Sequence, residues 1–211
     1  MKYILLILLH CIALTTKAQS RPVPKYHIGD TLSCGAIVFD VLNTDSSFLQ
    51  KVLICAPSDI AAGQVPWYNG QYLLTYAMAD GEFDRANAQR IVNVQGNTGN
   101  YAALLCSNFF TLTNCPDTTT AWYLPSKKEL SVIYANLSLK NMGHFANEGY
   151  WSSIEDSLLL PVTGALDSQP PMTAKRAWIV DFYDGNAFPV DKANKYHVRP
   201  VRYFIASYVY K

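Results

Sequence analysis

Four short strings in the second half of the chain constrain its fold more than any other feature of the sequence. Each string combines large aromatic residues with residues that favour turns or helix caps. The strings are residues 122–130, 150–153, 177–185 and 198–202. Aromatic residues among apolar neighbours favour burial, while turn and capping residues mark the ends of helices and strands. The strings therefore specify an architecture, but they contain no recognised catalytic motif.

The clearest helix is predicted to begin just after Ser126. Ser126 and Glu129 have the spacing of a capping box, in which each side chain accepts a hydrogen bond from the backbone N–H of the other residue. Apolar residues then recur at helical spacing on one face, at Leu130, Ile133, Tyr134 and Leu137. Capping explains the position of Glu129, so a general acid or metal ligand there is disfavoured.

Segments rich in aromatic and β-branched residues follow Gly143 and predict an antiparallel sheet. They are Trp151 and residues 178–182, 188–190 and 196–208. The Asp184-Gly185-Asn186 triplet is predicted to form a tight turn between two of them.

The first half of the chain is predicted to contain a hairpin and two helices. The hairpin comprises residues 36–42 and 48–54, and the helices comprise residues 84–94 and 101–109. Asp84 is the candidate N-cap of the first helix, and Gly96 is its stop signal. The fold class is therefore α+β, with an antiparallel sheet, two or three short helices and long loops. One connection, at residues 154–176, is long enough to be a functional loop.

The first eighteen residues, 1–18, read as a secretory signal peptide, which leaves residues 19–211 as a single domain. The apolar run at residues 4–14 is shorter than the roughly 20 residues that a membrane-spanning helix needs. A lipid anchor on Cys11 is the alternative, but His10 stands where a small residue would be needed. We therefore expect a secreted, periplasmic or cell-surface protein without a transmembrane helix.

The charge balance argues against nucleic acid as a partner. The full chain has 17 Lys and Arg residues and 16 Asp and Glu residues, and loss of Lys2 and Lys17 with the signal leaves 15 basic residues. Nucleic-acid-binding proteins usually present a strongly basic face, which a net charge of −1 does not favour.

Four cysteines remain after removal of the signal, and an even number in a secreted chain predicts disulfides. Three connectivities are open. The predicted hairpin would place Cys34 and Cys55 side by side, which leaves Cys106 to pair with Cys115. A catalytic or metal role is disfavoured because the chain has no Cys-x-x-Cys spacing.

Taken in order, the four strings resemble the Lcl C-terminal domain family, the C-terminal domain of bacterial collagen-like adhesins. Earlier strings extend the resemblance over nearly all of residues 19–211, namely residues 28–30, 35–39, 56–59, 67–70, 86–87, 91–92 and 101–103. The family has long been catalogued as a domain of unknown function. The resemblance implies a C-type-lectin-like fold, similar to the core of formylglycine-generating enzymes. It also implies a secreted or surface-bound domain, with glycan or glycosaminoglycan adhesion attributed to some members.

This chain departs from the family in three ways. Cys34 stands where the family commonly has glycine, and Cys55 also looks like a local addition, which favours a bridge between the two. The connection at residues 154–176 is longer than usual, which puts a transferred ligand specificity in doubt. The chain also has no collagen-like Gly-X-Y tract.

The calcium motifs of sugar-binding lectins are incomplete in this sequence. The tripeptide at residues 169–171 lacks the final acidic residue, and the string from Trp178 to Asp181 has the wrong spacing. Calcium needs six to eight oxygen ligands, and only Asp181, Asp184 and Asp191 are candidates to gather around a cation. We therefore expect no resident metal or other cofactor, with calcium as the one ion to consider.

The candidate ligand contacts are four basic residues and two turn residues. They are Lys175, Arg176, Lys192, Lys195, Asp184 and Asn186. The basic residues, together with Lys127, Lys128 and Lys140, would attract polyanionic glycans if the fold gathered them. A solvated surface is the competing interpretation for each of them.

The remaining prominent residues are predicted to be structural. Arg199 and Arg202 are three apart on a predicted strand, so they point to opposite faces and cannot form one anion clamp, and at least one should form an ion pair. Trp122, Trp151 and Trp178 are predicted to fill the core. Trp67 could pack or could stack on a sugar.

The leading functional hypothesis is a secreted, non-catalytic binding or adhesion module that recognises an extracellular glycan or protein. An enzyme on a formylglycine-generating scaffold is the first alternative, and it would need a pair of redox or copper-binding cysteines. The second alternative is a structural subunit of a surface appendage, with residues 21–27 as a donor strand. No catalytic residue is expected, because no His adjoins a nucleophile motif.

Overall fold

The computed structural model describes residues 22–23, 25–44, 49–60, 63–78, 85–109, 115, 120–156 and 172–210. The strands are β1 (Pro22–Val23), β2 (Ile37–Thr44), β3 (Leu49–Cys55), β4 (Val65–Pro66), β5 (Gly149–Glu155), β6 (Arg176–Asp181), β7 (Ala187–Asp191), β8 (Lys195–Tyr196), β9 (Val201–Ser207) and β10 (Val209–Tyr210). The helices are α1 (Arg85–Gln95), α2 (Ala102–Ser107), α3 (Lys127–Asn136) and α4 (Met172–Lys175). The fold is α+β, as the sequence predicts.

Two three-stranded antiparallel sheets carry the described part of the fold. The first has the order β2-β3-β9, and its β2–β3 pair is the predicted hairpin, with Ile37 opposite Cys55. The second has the order β5-β6-β7. Two short antiparallel ladders, β1–β10 and β4–β8, complete the strand pairing within the described residues. Strand β1 thus finds its partner within the same chain.

Helices α1, α2 and α3 overlap the predicted helices, whereas α4 lies within the connection at residues 154–176, where no helix was predicted. Ser126 and Glu129 make the complete capping box at the start of α3, with Ser126 Oγ accepting from the Glu129 amide at 3.1 Å. Gly96 follows α1 with a φ of +89°, a conformation that glycine adopts without steric cost. Asp84, the expected N-cap of α1, lies outside the described residues.

The first sheet separates two clusters of buried side chains. Val52 and Ile54 of β3 contact one cluster, whereas Leu53 and Cys55 contact the other, because successive strand residues point to opposite faces. Trp151 and Trp67 are fully buried in the larger cluster, and Trp122 is buried in the smaller one. Trp178 is only half-buried, with Lys127 Nζ 4.3 Å from its ring centroid.

The predicted disulfide pairing is wrong. Cys34 bonds to Cys115, 81 positions away in the sequence, and Cys55 and Cys106 are free buried thiols. The hairpin does form, but Cys55 points into the larger cluster while Cys34 and Cys115 contact the smaller cluster on the other face of the sheet. The pairing therefore depends on which face of the sheet each cysteine occupies. Closeness of two cysteines at the end of a hairpin is not sufficient for a disulfide.

Glu129 should make stability fall as pH rises through the weakly acidic range. Burial raises its pKa from 4.5 to about 7, against the opposing effect of hydrogen bonds from the Tyr123 hydroxyl and the Ser126 amide. The folded state then holds a proton that the unfolded state releases, so this contribution is complete below pH 4.5 and lost by about pH 7. We expect the free energy of unfolding to fall by up to about 3 kcal/mol between these pH values, as measured by urea unfolding.

The control for this pH effect is Glu129→Gln, whose neutral amide can still accept from the Ser126 N–H. Its free energy of unfolding should lack the decline attributed to this group. A wild-type protein that instead gains stability over Glu129→Gln as pH rises would show that the helix cap favours the carboxylate more than burial disfavours it.

Candidate functional site

A polar network surrounds His197, just before β9. The His197 backbone is paired with β5, because its N–H donates to the Gly149 carbonyl at 3.1 Å and its carbonyl accepts from the Trp151 N–H at 3.0 Å. Its Nδ1 lies 3.1 Å from Asp59 Oδ2, and its Nε2 lies 3.1 Å from Glu148 Oε2. The ring also stacks on Tyr150, with centroids 5.2 Å apart. The imidazole is therefore fixed between two carboxylates.

The Arg199 side chain connects its own segment, just before β9, to two distant segments, residues 56–59 and the residues around Gly143. The side chain is buried, and its Nε donates to Asp59 Oδ1 at 2.6 Å. Its Nη1 donates to the carbonyls of Ala56 at 3.0 Å and Gly143 at 2.9 Å. The guanidinium also lies 4.1 Å from the centroid of the Phe145 ring. Arg199 therefore forms, with Asp59, the ion pair that the sequence predicts for at least one of the two arginines. It also holds the loop that contains Gly143 and Phe145.

Tyr150 adds a second support to the same loop. Its hydroxyl donates to Asp59 Oδ2 at 2.8 Å and accepts from the Ala146 N–H at 2.9 Å. Burial, followed by the charge of Asp59, raises the pKa of the Tyr150 hydroxyl above its ordinary value. The hydroxyl therefore stays protonated and keeps donating to Asp59 throughout the physiological pH range.

Residues 141–148, the 141–148 loop, carry unusual backbone conformations. Asn141 has a φ of +55°, Gly143 of +84° and His144 of +50°. A left-handed conformation is common for asparagine and glycine, but it costs free energy at most other residues and persists where contacts enforce it. A side chain at Gly143 would overlap the Phe145 ring, since a Cβ there would lie 2.5 Å from that ring.

A polar depression of about 190 Å³ lies on this loop. Its lining consists of Ser138, Asn141, Met142, His144, Phe145 and Asn147. The hydroxyl and amide groups of this lining can both donate and accept hydrogen bonds. The depression is smaller than the about 300–1,000 Å³ of sites for drug-sized ligands, so it suits one ring or one side chain.

The turn at residues 182–186 lies beside the 141–148 loop. The Phe182 N–H donates to the Glu148 carbonyl at 3.1 Å, and the Phe182 ring lies 5.1 Å from that of Phe145. The turn packs closely against α3, because a Cβ on Gly185 would lie only 2.4 Å from the Tyr134 ring. Next to Phe182, Tyr183 is the most exposed of the large hydrophobic side chains among the described residues, at 77 %.

Two predicted ligand contacts, Asp184 and Asn186, belong to this turn. Asp184 Oδ1 accepts from the Asn186 backbone N–H at 2.9 Å, and Oδ2 accepts from the Asn186 side-chain amide at 2.6 Å. Both residues are exposed, so turn formation leaves them accessible beside Tyr183.

The predicted basic contacts do not form a patch with the depression. Lys192 is fully buried against Glu155, so its assignment as a surface ligand contact is wrong. Arg176 pairs with Asp156 at 2.5 Å. Lys175 is half-buried and Lys195 is exposed, and neither lines the depression.

The buried pair of Lys192 and Glu155 fixes a different loop. Lys192 also donates to the Leu73 carbonyl at 3.3 Å, and its ammonium lies 4.4 Å from the centroid of the Trp67 ring. Glu155 accepts from the backbone N–H groups of Thr75 and Tyr76, each at 2.9 Å. Burial lowers the pKa of Lys192, while Glu155 opposes this shift. The interactions of this pair are satisfied internally, which indicates a structural role.

The other charged candidates are also used in structure. Asp181 accepts from the Tyr183 N–H at 2.9 Å, and Asp191 accepts from the Tyr72 hydroxyl at 2.7 Å. Arg202 lies over Trp122, with 5.1 Å between the guanidinium and the ring centroid, in the smaller cluster. Among the residues that the structure describes, no group of three or more His, Cys, Asp or Glu side chains is placed to hold a metal ion.

The two free thiols differ from redox or metal-binding cysteines. Cys55 and Cys106 are fully buried. Burial raises the pKa of the Cys55 thiol to about 11, although the charge of Arg199 opposes the shift, and it raises the pKa of Cys106 well above its ordinary value. Reactive cysteines have a lowered pKa, because the thiolate is the reactive and metal-binding form.

No protein-family model matches the chain, and no curated protein matches it. The described helices include none that is long and apolar enough to cross a membrane.

Sequence reasoning missed four residues of the network, namely Asp59, Gln64, Glu148 and His197. They lie far apart in the chain: Asp59 and Arg199 are 140 positions apart, and Gln64 and His197 are 133 positions apart. A weak signal was present, because Asp59 ends the string at residues 56–59 and His197 adjoins the string at residues 198–202.

Proposed function

We propose that this protein is a secreted, non-catalytic binding module with a C-type-lectin-like fold, similar to the Lcl C-terminal domain family, that recognises an extracellular glycan. The observation that carries the proposal is the polar depression on the 141–148 loop. It combines accessible hydrogen-bonding groups with a backbone that is fixed by hydrogen bonds to the Arg199 and Tyr150 side chains.

Preorganisation supports a binding role for this loop. A left-handed residue other than glycine or asparagine, such as His144 in this loop, costs free energy, and such residues cluster at ligand sites, where the surrounding structure enforces them. Here Arg199 holds the Gly143 carbonyl and Tyr150 holds the Ala146 N–H. A loop that is already ordered loses little conformational entropy when a ligand binds.

The polar network supports binding over catalysis. In the described part of the chain, the hydrogen-bond partners of the His197 ring are Asp59, Glu148 and Gln64, and none of these is a nucleophilic hydroxyl or thiol. The raised pKa values of Cys55 and Cys106 disfavour the copper or redox pair that the enzyme alternative needs.

An extracellular location is supported by two independent features. The Cys34–Cys115 disulfide is typical of oxidising compartments. Residues 1–18 have the pattern of a secretory signal, and they lie outside the described residues.

Removal of two amides from the depression should weaken glycan binding. We expect Asn141→Gly combined with Asn147→Ala to lower affinity about tenfold, since two hydrogen-bonding groups are lost. Glycine keeps the left-handed φ of residue 141 without strain. Binding is measured on a glycan array and then by titration with the glycans retained.

The matched control is Asn100→Ala, which removes an exposed amide from another loop. It should bind as the wild type does. A flat array for the wild-type protein, or equal affinities for all variants, would overturn the proposed site.

A further inference from the structure

We infer that Glu148 is the anchoring contact of this site and that it selects uncharged glycans over anionic ones. This inference rests on the proposed glycan-binding function. Glu148 was not among the residues that the sequence singled out. Glu148 does not itself line the depression, but it is the next residue along the chain from Asn147, which does.

The two oxygens of the Glu148 carboxylate have different surroundings. Oε2 accepts from Gln64 Nε2 and lies 3.1 Å from His197 Nε2. Oε1 has no partner among the described residues, and 58 % of the side chain is exposed to solvent. One oxygen therefore fixes the carboxylate, and the other remains an acceptor for a ligand hydroxyl.

The orientation of this carboxylate is set by groups behind it. His197 is held on its other side by Asp59, which is itself held by Arg199 and Tyr150. Chains of hydrogen bonds of this kind restrict the rotamers of their members and polarise one another. An exposed glutamate would otherwise sample many rotamers and lose conformational entropy on binding.

The charges on this face favour an uncharged ligand. The positive charge of Arg199 is buried and paired with Asp59, while Glu148 and Asp184 are exposed carboxylates. No Lys or Arg lines the depression, whose one ionisable group is His144, and the basic residue next to the lining is the exposed Lys140, which precedes Asn141 in the chain. A sulfate or uronate beside Glu148 would meet a like charge, and repulsion of this kind gives specificity.

The lining of the depression favours a sugar over a cationic peptide. An ammonium group needs acceptors alone, but the Asn141 and Asn147 amides and the Ser138 hydroxyl offer donors as well. A sugar hydroxyl both donates and accepts, so it can use both kinds of group. Tyr183, on the adjacent turn, offers an exposed ring on which the apolar face of a sugar can pack.

The test compares wild type, Glu148→Gln and Glu148→Ala for binding to neutral, sulfated and uronic-acid glycans at low and high salt. The wild-type protein should bind neutral glycans with little dependence on salt, because no charge pair forms. Glu148→Ala should lose about tenfold or more of this affinity, the effect of one hydrogen bond to a charged group. Glu148→Gln should bind neutral glycans more tightly than Glu148→Ala does. It should also bind anionic glycans more tightly than the wild type does.

The control is Asp30→Asn, which removes the same charge from a side chain that is 44 % exposed at another position. It should leave both affinity and selectivity unchanged. Preferential binding of the wild type to sulfated glycans, or an unchanged profile for Glu148→Gln, overturns this inference and leaves the proposed function standing. A protein that binds no glycan of any class overturns the proposed function itself.

Discussion

Replacement of Lys192 by methionine should lower the free energy of unfolding by about 3–5 kcal/mol. Lys192 and Glu155 are both fully buried and form an ion pair. Methionine fills much of the same space over Trp67, but it leaves the Glu155 carboxylate without its countercharge. Loss of one partner from a buried pair is costly because the remaining charge stays desolvated. Urea unfolding followed by tryptophan fluorescence measures the change.

The matched control for Lys192→Met is Lys195→Met, three positions further along the chain. Lys195 is exposed, so its replacement should change stability by no more than about 0.5 kcal/mol. Equal effects of the two substitutions would mean that the buried pair contributes no more than a surface lysine. The same measurement on Glu155→Gln should also show a loss of several kcal/mol, about 3–5 kcal/mol, because Lys192 is then buried without its countercharge, although the neutral amide can still accept from the Thr75 and Tyr76 N–H groups.

Removal of the disulfide by the double change Cys34→Ala and Cys115→Ala should cost about 4–5 kcal/mol. The bond closes a loop between residues 81 positions apart, and its loss increases the conformational entropy of the unfolded chain. Urea unfolding with and without a reducing agent checks this value. Reduction should destabilise the wild type to a similar extent and leave the double variant unchanged.

Cys55→Ala serves as the control for the disulfide, because Cys55 is a buried free thiol. This variant should lose stability only through its small cavity and should remain sensitive to the reducing agent. Peptide mapping under non-reducing conditions gives an independent check. A Cys34–Cys55 peptide pair would contradict the connectivity and restore the pairing that the hairpin pattern predicts.

Local sequence signals predicted much of the secondary structure. The sequence predicts the capping box at Ser126 and Glu129, the hairpin of β2 and β3, and the glycine stop after α1, and all three are present in the structure. Each of these signals acts within a few residues, because capping, strand pairing across a short turn and left-handed glycine depend on neighbours along the chain. The burial of Trp122 and Trp151 was also predicted from their apolar surroundings.

The same kind of signal failed where the outcome depended on which face a residue occupied. Cys55 reached the correct end of the hairpin but pointed into the opposite cluster from Cys34. Lys192 follows the last residue of β7 and precedes two exposed residues, Ala193 and Asn194, and it is nevertheless buried. Its partner Glu155 is 37 positions away, so no local pattern marks the pair.

The sequence by itself determined the α+β class, the helix caps and the aromatic core, because these follow from propensities and spacings of a few residues. Tertiary structure alone decided the disulfide, the buried ion pair and the assembly of Asp59, Gln64, Glu148 and His197 around one polar surface. These contacts, together with the ion pair between Asp59 and Arg199, join positions from 37 to 140 residues apart. Their formation depends on sheet pairing and packing across the whole domain, which no short stretch of sequence encodes.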